Sequence, residues 1–187
     1  MGLVGKRIGF AVTGSFCTFA QILPQVKALV DAGADVTPIL SYNASRLDTR
    51  FFQAEDFKRI LKEITGHDII DDLMRAEPIG PKKLLDLVII APCTGNTLAK
   101  LALGITDTPV LLAAKAHLRN ASPVLIAVST NDALAGNAKN LGLLLNTRNI
   151  YFVPYRQDDS VKKYASIVAD TTLIPEAAAL ELEGKQM

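Results

Sequence analysis

The sequence is short of the residues that mark several functional classes. Only two cysteines, Cys17 and Cys93, occur in 187 residues, too few for a disulfide framework or a structural zinc site. Tryptophan is absent and aromatics make up 6% of the chain, which argues against a base-stacking surface. Neither sign of charge dominates: 20 Lys+Arg against 19 Asp+Glu leaves +1. A nucleic-acid binder held by its phosphates would show a basic excess. No apolar run approaches the ~20 residues a membrane span needs, and no long polar run suggests disorder. No signal peptide is read at the N-terminus, so the expected compartment is a reducing cytoplasm. The dinucleotide fingerprint G-x-G-x-x-G and the P-loop Lys-Ser/Thr are both missing.

What is present is apolar and regularly punctuated. Hydrophobic residues are 49% of the chain and mean hydropathy is +0.25, enough for one domain with a full core. Short apolar runs alternate with helical spacing. Lys6 to Val12 reads as a first strand, and Phe16 to Ala32 as a helix with Pro24 inside it and Gly33 as its C-cap. Asp35 to Leu40 is a second strand, in which Pro38 implies either an edge position or a bulge. Ser41 to Phe52 reads as a long loop, and helices are expected at Phe57 to Ile64 and Ile69 to Met74. Leu85 to Ala91 is almost continuously apolar, as in a central parallel strand covered on both faces. Helices through Leu98 to Ile105 and Pro109 to Leu118 follow, then a strand at Pro123 to Val128 and a helix at Asn137 to Leu145. A last strand spans Ile150 to Val153, and Ser160 to Leu182 reads as helical. This order implies an α/β doubly wound parallel sheet, a Rossmann-like or flavodoxin-like three-layer sandwich. The whole chain, 1–187, is expected to be one domain, with a core of about 5–155 and a C-terminal helical segment of about 160–183.

Ligands of such sheets bind beyond the carboxyl ends of the strands. The first end, Thr13-Gly14-Ser15, offers two hydroxyls and a permissive glycine before a helix, which suits a phosphate cradle. It suits a plain strand-to-helix turn with a serine N-cap equally well. The second strand ends at Ser41-Tyr42 rather than in an acid, which disfavours NAD on this chain and leaves a mononucleotide open. The third end, Pro92-Cys93-Thr94-Gly95-Asn96-Thr97, combines hydrogen-bonding side chains with a glycine for close approach. There Cys93 also reads as a small buried filler. The fourth, Ser129-Thr130-Asn131-Asp132, has the same polar character. Four such ends together make a pocket wall.

The stretch from Leu85 to Lys115 resembles the flavoprotein family of homo-oligomeric flavin-containing cysteine decarboxylases. That family carries a Pro-Ala-Ser-Ala-Asn-Thr segment and a Gly-Ile-x-Asp turn, where this chain has Pro92 to Thr97 and Gly104-Ile105-Thr106-Asp107. Thr13-Gly14-Ser15 and Ser41 match the family's first and second strand ends. The resemblance covers about residues 5 to 155. It implies an FMN site in which Thr13, Gly14, Ser15, Ser41, Pro92, Cys93, Thr94, Gly95, Asn96, Ser129 and Thr130 contact the cofactor. Asn96 and Asn131 would meet flavin or substrate as the catalytic pair. Of the decarboxylases' Pro-x-Met-Asn-x-x-Met-Trp segment only Asn131 remains, and no catalytic histidine matches: His67 reads as a surface residue and His117 as structural. Segments such as Asp48-Thr49-Arg50-Phe51 and Ala114 to Asn120 are similar to family members that oxidise a dihydropyridine dicarboxylate in endospore formation. Those members act beside a separate NAD(P)-binding subunit. The resemblance further implies a homo-oligomer, trimer or dodecamer. Arg46 and Arg50, in the loop after the second strand, are candidate partners for a substrate carboxylate, or else solvated loop arginines. An FMN-dependent decarboxylase and a non-redox docking partner are the alternative functions.

Overall fold

The computed structural model describes residues 2–187. Its parallel half begins with β1 (Arg7–Val12), a 3-10 turn at Phe16–Thr18, α1 (Phe19–Asp31), β2 (Asp35–Leu40), α2 (Tyr42–Arg46), α3 (Ala54–Thr65) and α4 (Leu73–Ala76). It continues through β3 (Leu87–Cys93), α5 (Gly95–Ala102), α6 (Pro109–Arg119), β4 (Val124–Thr130), α7 (Ala138–Leu145) and β5 (Ile150–Phe152). An antiparallel hairpin, β6 (Tyr155–Asp159) and β7 (Lys163–Ala169), and helix α8 (Ile174–Glu181) complete the chain.

The seven strands form one sheet in the order β2-β1-β3-β4-β7-β6, and β5 also pairs with β4. β4 is therefore shared. Val124–Ile126 pair in parallel with β5, whereas Ser129 and Thr130 pair antiparallel with Val168 and Ile167 of β7. All seven residues of β3 are buried, as its unbroken apolar run requires of a central strand. Alternate residues feed two cores. Phe10, Val12, Leu87 and Ile89 pack with Phe19, Ile22, Val26 and Leu29 of α1. Val88, Ile90 and Ile126 pack with Leu98, Val110 and Leu111 of α5 and α6. Pro38 stands in β2, the edge strand, where its missing N–H breaks no inner ladder. Gly33, at φ +87°, follows α1 as the sequence suggests.

Several elements differ from the sequence reading. Ser41 to Phe52 is not all loop, because Ser41 Oγ accepts the Ala44 N–H and starts the short α2. Ile69 to Met74 is not a helix. The Ile70 N–H and C=O pair with Pro38 and Leu40 of the edge strand, and helix begins only after the Asp72 cap. α5 stops at Ala102, short of Ile105, where Gly104 turns the chain at φ +70°. Ser129 and Thr130 belong to β4 rather than to a turn. The segment from Ser160 on is helical only from residue 171. Asp159 accepts the N–H groups of Val161 and Lys162, closing a hairpin in which Gln157 pairs with Ile167. At the outer side of β5, the Gln186 side chain accepts the Phe152 N–H (3.0 Å) and donates to the Phe152 C=O (2.8 Å). Among the described residues no helix is long and apolar enough to cross a membrane.

Candidate functional site

Parallel strands of one sheet end on one side, so the turns after β1, β2, β3 and β4 converge. Thr13 ties the first of them to the third. Its hydroxyl donates to the Pro92 C=O (2.7 Å) and accepts the Thr94 N–H (3.0 Å), and its own N–H donates to the Pro92 C=O (3.3 Å). Thr94 in turn caps α5: its Oγ1 accepts the Thr97 N–H and donates to Thr97 Oγ1 (3.1 Å). Ser15 does not cap the helix that follows it. Its Oγ shares a 2.9 Å hydrogen bond with Ser129 Oγ, bridging the turn after β1 to the end of β4 over the end of β3.

These ties enclose two adjoining clefts with Gly14 and Thr94 in both walls. The first, about 370 Å³, runs between the turn after β1, the start of α2 (Ser41, Tyr42, Asn43) and α5 (Asn96, Thr97, Lys100), with Asp107 and Thr108 beyond. Its lining is mostly hydroxyls and amides, with Leu111 on one side and one ion pair, Lys100 Nζ to Asp107 Oδ2 at 2.5 Å. The second, about 660 Å³ and wider, lies between Ser15, Phe16 and Cys17, the Arg50–Phe51 loop, Gly95, and Ser129 to Asp132. Arg50 lies over the Phe51 ring, 4.8 Å from its centroid. Both volumes fall in the range of small-molecule sites.

Gly95, the first residue of α5, lines the second cleft and has no room for a side chain. A Cβ there would come within 2.5 Å of Thr130 Oγ1 and 2.7 Å of Asp132 Oδ1 and Asn137 Nδ2. Those atoms form one network. Thr130 Oγ1 donates to Asp132 Oδ1 (2.6 Å), Asn137 Nδ2 to Asp132 Oδ2 (2.7 Å), and Asn140 Nδ2 to Asn137 Oδ1 (2.8 Å).

Most residues singled out in the sequence meet here. Thr13, Gly14, Ser41, Thr94 and Asn96 line the first cleft, and Ser15, Arg50, Gly95, Ser129, Thr130 and Asn131 the second. Three do not. Pro92 and Cys93 are buried inside β3 and reach neither cleft, because the strand runs two residues further than its apolar core suggests. Burial pushes the Cys93 thiol up to about 12, so it stays protonated and is no nucleophile. Arg46 lies outside both linings and stacks on Tyr42, 4.6 Å from the ring centroid. His117 is buried, and burial lowers its pKa, which keeps the imidazole neutral in the packed interior. Lys100, Asn43 and the Asp132–Asn137 pair carry no signal in the sequence, whereas Asp107 stands in the Gly-Ile-x-Asp turn and Tyr42 follows the end of the second strand. Asp132 belongs to the polar turn already quoted, but nothing in the sequence pairs it with Asn137.

The donor set of the first cleft suits a flavin mononucleotide. Ser41 Oγ uses only acceptor capacity internally, leaving its O–H free to donate, and Asn43 and Asn96 add amides. Neutral hydroxyl and amide donors of this kind match a phosphate and a polyhydroxyl chain.

Comparison with known proteins agrees with this geometry. The sequence profile of the family described as Flavoprotein matches residues 2–167. The B subunit of dipicolinate synthase from Bacillus subtilis (strain 168) is 46% identical over 185 residues, 99% of this chain and 92% of that protein. The crystal structure of the corresponding B subunit from Bacillus halodurans superposes with a TM-score of 0.92 at 44% identity, covering 100% of this chain and 96% of that one. The coenzyme A biosynthesis bifunctional protein CoaBC of Thermococcus kodakarensis (strain ATCC BAA-918 / JCM 12380 / KOD1) is 30% identical over 174 residues. That match covers 88% of this chain but 40% of the longer protein. The chain therefore belongs to the flavoprotein family, as a homologue of the dipicolinate synthase B subunit.

Proposed function

We propose that this chain is the flavin-type subunit of a dipicolinate synthase. Beside a separate NAD(P)-binding A subunit it oxidises dihydrodipicolinate to dipicolinate in the cytoplasm of a sporulating mother cell. The observation that carries the reading is the pair of clefts sharing Gly14 and Thr94, one suited to a mononucleotide and one to a small charged ligand beside it. The near full-length likeness to the Bacillus subtilis protein supports the same substrate class. The decarboxylase alternative has less support, since of the decarboxylases' Pro-x-Met-Asn-x-x-Met-Trp segment only Asn131 remains and no matching histidine is present.

In this reading Ser41, Asn43 and Thr94 hold the phosphate and ribityl chain of FMN. Asn96 and Asn131 meet the flavin and the substrate. Bound FMN supplies a two-electron acceptor, and the protein positions and polarises. Arg50 pairs with a substrate carboxylate from the rim of the second cleft, pre-oriented on Phe51. Thr13 and Pro92 fix the turn after β1 against β3. The assembly expected from the family is a homo-oligomer, trimer or dodecamer.

The test is the visible spectrum of the purified chain before and after adding FMN. Flavin bands that remain with the protein, and that weaken in Ser41→Ala, are the expected result. A chain that neither carries nor takes up FMN overturns the flavin part of the reading.

A further inference from the structure

The second cleft presents two opposite charges that do not pair. Among the described residues no ion pair involves Arg50 or Asp132, although both line the same space. Each Asp132 oxygen already accepts one hydrogen bond, from Thr130 Oγ1 and from Asn137 Nδ2, and each retains a further lone pair. The backbone holds the residue as well, since the Asp132 C=O accepts the N–H groups of Ala135 and Asn137 at 3.0 Å. The carboxylate is thus half-buried, oriented by its donors and part of the cleft wall. A ligand carrying only carboxylates would be repelled by it. One carrying a carboxylate and an N–H would satisfy both ends of the cleft.

We infer that Asp132 accepts the ring N–H of the substrate and takes its proton as the ring becomes aromatic. The inference rests on the dihydropyridine dicarboxylate reading above. In the N–H tautomer of such a ring the nitrogen lies between the two carboxylated carbons. A carboxylate on Arg50 and the nitrogen on Asp132 are then neighbouring contacts of one ligand. The step balances. A ring C–H bond breaks and its electron pair leaves with the hydrogen as hydride, reducing a flavin-class two-electron acceptor. The nitrogen's π pair joins the ring to complete the aromatic sextet, the N–H bond breaks and leaves its pair on nitrogen as an in-plane lone pair, and the proton goes to Asp132. The product then turns a nitrogen lone pair toward the carboxylate once that proton is lost to solvent. Asp132 therefore favours the donor form of the ring over the acceptor form, and so favours product release.

The experiment compares two stable diacids on the full chain by calorimetry at neutral pH. Piperidine-2,6-dicarboxylate carries a ring nitrogen that donates, and pyridine-2,6-dicarboxylate one that accepts. The native chain should bind the piperidine diacid at least about tenfold more tightly, as expected for a charge-assisted hydrogen bond made against one refused. Asp132→Asn should erase or reverse that preference, while Arg50→Ala weakens both ligands and leaves their ratio unchanged. A measurement on the native chain guards against a misfolded variant. Ring nitrogen-15 in the bound piperidine diacid should shift from its free value, the signature of an N–H held by a carboxylate, while that of the bound pyridine diacid should stay at the value of an unprotonated ring. If both diacids bind, both depend on Arg50, and neither the ratio nor the nitrogen signal responds to Asp132, the role of Asp132 falls and the diacid site stands. If neither binds, the diacid reading falls and takes this inference with it.

Discussion

Asp132 and Glu181 are two carboxyl groups in opposite circumstances. Asp132, at the mouth of the sheet, is half-buried, and both its oxygens have donors. Glu181, at the end of α8, is 2% exposed, and neither oxygen has a partner among the described residues. Burial alone pushes the Glu181 carboxyl up to about 9, so at neutral pH it keeps its proton. A carboxylate that is to meet a ligand is held in place by donors that orient it. A carboxyl with no such surroundings gives up its charge instead.

The largest effect that would sharpen this contrast is at Glu181. Its folded pKa is raised from 4.5, so the folded chain holds a proton that the unfolded chain releases. The stabilising state is complete below about pH 4.5 and is lost as pH rises toward 9. Urea denaturation should show the native chain losing about 3 kcal/mol between pH 5 and pH 7 from this group. Glu181→Gln, which keeps the shape and cannot ionise, should be nearly flat over that window. Equal slopes for the two proteins would break the contrast.

Next comes the crowding of the Asp132 network. Gly95→Ala puts a methyl group where three network atoms already stand, and should cost about 2–3 kcal/mol. Chemical denaturation measures it, and an unchanged midpoint would mean that the network yields freely. Asn137→Ala removes one donor from Asp132 and leaves Oδ2 short of a partner. The expected loss is about 1–2 kcal/mol, together with a lower affinity for ring N–H ligands because the carboxylate is less well aimed. The smallest effect is at a third carboxylate, Asp86, which Arg7 holds below the usual range through a side-chain hydrogen bond at the partly exposed residue just before β3. Asp86→Asn should move the neutral-pH denaturation midpoint little, and less still at high salt, because exposed pairs contribute little and are screened. A large shift there would show that charge pairing matters more in this fold than donor geometry.

The parallel half of the fold is legible because its strands are covered on both faces. Continuous apolar runs such as Leu87 to Ala91 have few alternatives. The hairpin Tyr155–Ala169 is not legible. Its first strand is exposed along most of its length, so no alternation of apolar and polar residues records it. The turns of the site follow from topology, since parallel strands bring their carboxyl ends together. What a hydroxyl does once there does not follow. Thr13 and Ser41 look alike in sequence, yet the Thr13 hydroxyl is committed to Pro92 while the Ser41 O–H remains available. The Asp132–Asn137 pair spans an irregular turn whose shape no periodicity encodes.

The Gln186 side chain, bonded to both backbone groups of Phe152, imitates one rung of a ladder on the outer side of β5. An open strand edge is a template on which another extended chain can grow. This three-residue strand is closed at its C-terminal residue by a side chain that cannot pass the pattern on. Association of copies along this flank must then rely on side-chain packing rather than on strand addition. Replacing that one amide would reopen a seam prone to aggregation.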